Sequence, residues 1–176
     1  MKKLLQSLLV LTLTIGFTTF AYAQPSDQIT ATTTVDASLN VTGTQDLNFG
    51  TLSAGATSDI GITDAGAGQF TVSGNSGSVD LSFSFTNGGE LVADGASGND
   101  GDNIPITFDA SDAAWGPDAS TQTGTWNPET GSATGVDIAA DGDRTIYVFI
   151  GGSITAASDQ IAGTYTETIK LTATHN

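Results

Sequence analysis

The stretch from Ile29 to Val41 constrains this chain more than any other. Its odd positions, Ile29, Ala31, Thr33, Val35, Ala37, Leu39 and Val41, are small or apolar except for Thr33. Its even positions, Thr30, Thr32, Thr34, Asp36, Ser38 and Asn40, are all polar. Period-2 alternation is the pattern of a strand with one buried face, and Thr and Val suit a pleated backbone because of their β-branching. Such a run spans roughly 43 Å at about 3.3 Å per residue, against about 5–6 residues for an ordinary strand. A small domain cannot easily bury that length against itself. Either the run bends and serves two sheets, or part of it belongs to a neighbouring molecule.

What precedes the run reads as an export signal. Lys2 and Lys3 open the chain, Leu4 to Phe20 is mostly apolar, and Ala21, Tyr22 and Ala23 supply a small-x-small cleavage site. Residues 1–23 are therefore expected to be a signal peptide cleaved after Ala23, with no membrane span left behind. No cysteine occurs, so the fold rests on its core and its ladders alone. After cleavage Arg144 and Lys170 are the only cations against nineteen acids, a net charge of −17. A surface of that sign repels nucleic acid and anionic lipid and offers no basic patch to either. His175, the one histidine, lies next to the last residue, where a fixed, half-buried imidazole for nucleophilic catalysis is not expected. The expectation is a protein that is not an enzyme.

Nothing after residue 23 sustains a 3.6 period, while strand patterns recur between Gly, Asn, Asp and Ser turns. Leu47–Leu52 alternates about Gly50, and Asp59–Thr63 is a weak strand. Gln69–Ser73 and Val79–Thr86 are clear strands, which the Gly74–Gly77 link predicts to form a hairpin. Val79, Leu81, Phe83 and Phe85 are expected to share one face. Ile104–Phe108 resumes after a long acidic loop, and Pro105, which cannot donate to a ladder, places the strand's start or an edge there. Arg144–Ile150 is apolar on both faces, as in the middle of a packed sheet. In the closing stretch Ala162–Thr174, Tyr165, Ile169, Leu171 and Ala173 face inward, and Glu167 breaks the row near an exposed start. Eight to ten short strands of this kind predict an all-β, immunoglobulin-like antiparallel β-sandwich, with a closed barrel as the alternative.

Three pieces in order carry a resemblance: the alternating strand leading into Leu47-Asn48-Phe49-Gly50-Thr51-Leu52, the Phe70–Phe85 region, and the ending from Ala162-Gly163-Thr164-Tyr165 to Ala173. This order resembles the secreted spore-coat-U-like and related bacterial domains, which are similar to the pilins of archaic chaperone–usher fimbriae; this chain would be a cysteine-free variant. The resemblance implies a pilin-like sandwich lacking one strand, completed by the N-terminal strand of the next subunit. Residues 24–36 would then be an extension or donor strand and 37–176 the sandwich domain, with Ile29, Ala31, Thr33 and Val35 entering the groove of a neighbour. It further implies copies of the same chain as head-to-tail partners, a periplasmic chaperone and an outer-membrane usher, and a place outside the cell or on its surface. The other reading keeps residues 29–41 within a self-complete monomer.

Two stretches could hold a ligand in that monomeric reading. Asp94, Asn99, Asp100 and Asp102 offer oxygens on a glycine-rich loop, as calcium requires, or form a solvated acidic turn. Trp115 and Trp126 could stack on sugar rings, with Asp109, Asp112, Asp118 and Glu129 nearby in sequence. No other cofactor is expected.

Overall fold

β-Branched and aromatic residues at alternate positions make the molecule all-β, with no helix among the described residues. The computed structural model describes residues 27–75, 77–94, 103–139 and 142–176; the expected signal peptide lies outside them. The strands are β1 (Leu39–Gln45), β2 (Thr57–Ile60), β3 (Gly68–Gly74), β4 (Ser78–Phe85), β5 (Glu90–Ala93), β6 (Ile104–Thr107) and β7 (Ala113–Gly116). They continue as β8 (Gly124–Trp126), β9 (Ala133–Asp137), β10 (Thr145–Ile150), β11 (Gly152–Thr155), β12 (Tyr165–Thr166) and β13 (Ile169–His175).

These strands pair antiparallel in three sheets, ordered β1-β3-β10-β7-β8, β12-β5-β6-β11-β2 and β13-β4-β9. The first sheet covers the other two, as expected of a β-sandwich. At one end Val72, Ile146 and Val148 of the first sheet pack on Val79, Leu81, Val136 and Leu171 of the third. At the other, Ile150 packs on Ile104, Ile106 and Ile154 of the second. Phe70 and Phe83 touch both clusters, with ring centroids 5.9 Å apart. Strand β10 is the middle strand of its sheet, as its two apolar faces predict. The chain then crosses to the second sheet: Ile150 pairs with Gly68 and Ala113, but Gly152 with Ile60.

Three expectations are corrected. Strands β3 and β4 are not a hairpin; β3 pairs with β1 and β10, and β4 with β13 and β9. Their apolar faces meet across the core, and alternation reads the same for facing strands as for paired ones. Residues 47–52 form no strand. The Gly50 N–H turns back to Asn48 Oδ1 at 2.8 Å, Gly50 takes φ 75°, and the Asn48 N–H donates to the Gly66 carbonyl. Finally, the run from Ile29 becomes a strand only at Leu39. Pro105 stands within a strand flanked on both sides, but pairing with β11 begins only at Ile106, so its missing N–H costs no ladder bond there.

Candidate functional site: an apolar cleft between two end strands

Strand β1 ends one sheet, and β12 and β13 end the other two. Beside the far half of β1 a cleft of about 520 Å³ opens into the second core cluster. One wall is Gly43, Gln45, Leu47, Phe49 and Phe70, the other is Leu91, Tyr165 and Ile169, and Ile106 and Ile150 form the floor. The floor is finished core, since Ile150 is 1% and Ile106 7% exposed. The walls are not: Phe49, Phe70, Leu91, Tyr165 and Ile169 remain half-buried although they pack against that cluster. A sandwich end strand presents ladder groups on its outer side, so the cleft joins an incompletely covered apolar core to two backbone edges.

Local chemistry shapes both rims. Tyr165 is held by its hydroxyl, which donates to the Ile161 carbonyl at 2.7 Å and accepts from Gln160 Nε2 at 2.9 Å. Gly68 leaves room at the floor: a Cβ there would stand 2.7 Å from Ile150 Cγ2. Glu167, expected near an exposed start of the last strand, is instead half-buried on the cleft rim. Its carboxylate accepts the backbone N–H groups of Asn87 at 2.9 Å and Gly89 at 3.3 Å, tying the β4–β5 turn to the break between β12 and β13. The carboxylate is satisfied by main chain, which explains how an acid interrupts an apolar row at little cost.

Ile29, Ala31, Thr33 and Val35 are exposed and outside any strand, with Ile29 97% and Val35 78% exposed. Hydrogen bonds to a distant turn follow just after them. Asn75 Oδ1 accepts the Ser38 N–H at 2.6 Å, Asn75 Nδ2 donates to the Asp36 carbonyl at 2.9 Å, and the Asn75 N–H donates to the Ser38 carbonyl at 3.2 Å. The sequence marks Glu167 only as a break in an apolar row and gives Asn75 no role beyond its turn. An Asn in a Gly-Asn-Ser-Gly link reads as turn chemistry, and only its 37-residue reach to Ser38 reveals the clip.

The ligand-binding stretches fare differently. Trp126 is 7% exposed, with its ring stacked on Phe83 at a centroid distance of 5.9 Å. It is core and presents no platform to a sugar; Trp115 is half-buried against the same cluster. The Asp118 carboxylate lies below the ordinary aspartate range because the Ser120 hydroxyl, then the Ser120 N–H and the Thr121 hydroxyl, donate to it. It stabilises its own turn. Asp94 is exposed, whereas Asn99, Asp100 and Asp102 lie outside the described residues.

No curated protein matches the chain. One family does match, over residues 39–175, from the first residue of β1 to the last of β13 and including every cleft-lining residue. With that share of its length accounted for, the chain belongs to the family described as Domain of unknown function (DUF4402).

Proposed function

We propose that this protein is an exported bacterial structural subunit that polymerises into a cell-surface filament, residues 29–35 of one copy seating in the cleft of the next. The observation that carries the reading is an apolar cleft flanked by two end strands, in a chain that also exposes an alternating, uncharged segment. An extended peptide can fill such a cleft and pair with its edges in one step. The chemistry matches. Residues 29–35 carry no charge, which suits a cleft rimmed by Asp46 and Glu167. Burying Ile29 and Val35 would contribute about 1.5–3 kcal/mol each, before the ladder bonds are counted. A head-to-tail contact of this type is heterologous and grows as a fibre. Export, the surface location, and a chaperone and usher as helpers follow from the signal-like leader and the pilin resemblance. No catalytic role is proposed.

The test compares the processed chain with one lacking residues 24–35, refolded from strong denaturant and examined by sizing and negative-stain electron microscopy. The complete chain is expected to form filaments and the truncated one to stay monomeric. Filaments from the truncated chain, or folded monomers from both, would overturn the proposal.

A further inference from the structure

We infer that the Asn75 clip and the length of the chain before it prevent residues 29–35 from entering their own cleft, so that the cleft is kept for a second copy. The inference rests on the reading above. Residues 36–38 are tied to Asn75 by four hydrogen bonds. The cleft lies at the other end of β1, lined from Gly43 through Phe49. Leu39 to Gln45 covers about 20 Å at roughly 3.3 Å per residue.

A segment folding back on β1 must run antiparallel to it through a reversal of at least about two residues. With 36–38 held, the nearest reversal uses Thr34 and Val35. It sets Thr33 opposite Asp36 and Ile29 opposite Asn40, short of the cleft. The residues brought level with Gly43 and beyond would be Ser26 and those before it, including Pro25, which cannot donate to a ladder. Releasing the clip moves the reversal to Asp36 and Ala37 and brings Ile29 only to Thr44. The alternating residues cannot cover Leu47 or Phe49 from their own chain in either case. A second copy has no such limit, because its segment arrives unattached to this β1.

The experiment adds slack. Eight Gly/Ser residues inserted between Val35 and Asp36 reach roughly 27 Å at full extension, enough to carry residues 29–35 to their own cleft. A short flexible tether gives an effective concentration on the order of mM. At about 10 μM subunit, self-insertion should then win by about 100-fold, with filament mass falling accordingly. The monomers should resist denaturant better than the chain lacking 24–35, and their segment should be protected from protease. If the lengthened chain assembles as readily as the natural one, the inference is wrong. A natural-length chain that is monomeric with its segment protected overturns it too, while leaving the match of segment to cleft intact. Filaments that need no residues 24–35 instead overturn the underlying reading. In the natural-length chain, Asn75→Ala lets Ile29 reach only Thr44, so the monomer share should rise far less than with the insertion; a share equal to that of the lengthened chain would overturn the limit set by length.

Discussion

At the scale of single residues, exposure separates the proposed assembly from folding. Ile29 and Val35 are among the most exposed large apolar side chains, at 97% and 78%, so the domain loses nothing if they become polar. Ile29→Asp and Val35→Asp should change the unfolding free energy of the domain by less than about 0.5 kcal/mol. Each should nonetheless abolish filaments, because an unpaired carboxylate would enter an apolar cleft beside Asp46 and Glu167. Urea melts of the monomer and electron microscopy of the assembled material check the two halves independently. Glu167 carries the opposite lesson. In sequence it is an acid out of register; in the molecule it is half-buried and bonded to the Asn87 and Gly89 N–H groups. A sequence shows the charge of a side chain but not the main-chain donors that a distant turn brings to it.

At the scale of elements, the decisive feature is the passage from β10 to β11. The residues from Thr145 to Thr155 serve the first sheet up to Ile150 and the second from Gly152. Gly151 marks the corner: a Cβ there would collide with the Ile60 carbonyl oxygen of the neighbouring strand. Corners of this kind are how strands change sheets in a sandwich. Gly151→Ala should destabilise the domain by about 1–3 kcal/mol, since main chain cannot yield as a flexible side chain would. Denaturant midpoints against Gly77→Ala, where a Cβ meets nothing within 4 Å, would measure it. Much at this scale was legible beforehand. The two apolar faces of β10 marked it as central, and the inward row Val79, Leu81, Phe83, Phe85 is buried or half-buried. Partnership was not legible: β3 and β4 have the faces of a hairpin and lie in opposite sheets.

At the scale of the whole molecule, charge would govern how copies meet in the proposed filament. The processed chain would hold −17 at neutral pH, with Arg144 and Lys170 as its only cations. Association of like-charged subunits is slowed by their mutual field and released by screening, with a Debye length of about 30 Å at 0.01 M and 10 Å at 0.1 M. Filament growth should therefore accelerate by about tenfold or more between those salt concentrations. Light scattering during refolding would follow it, and a rate independent of salt would contradict the expectation. The sequence by itself determined the all-β class, the inward faces of the principal strands and the strong negative charge, because alternation, β-branching and charge are local properties. Only the tertiary structure decided where the alternating run becomes a strand, which strands share a sheet, and that an apolar cleft stands open beside β1. The physical reason is that Leu47, Phe70, Leu91, Ile106, Ile150 and Ile169 line one cleft from six separate segments. Each of them reads as ordinary core until the folded chain leaves one side of that core uncovered.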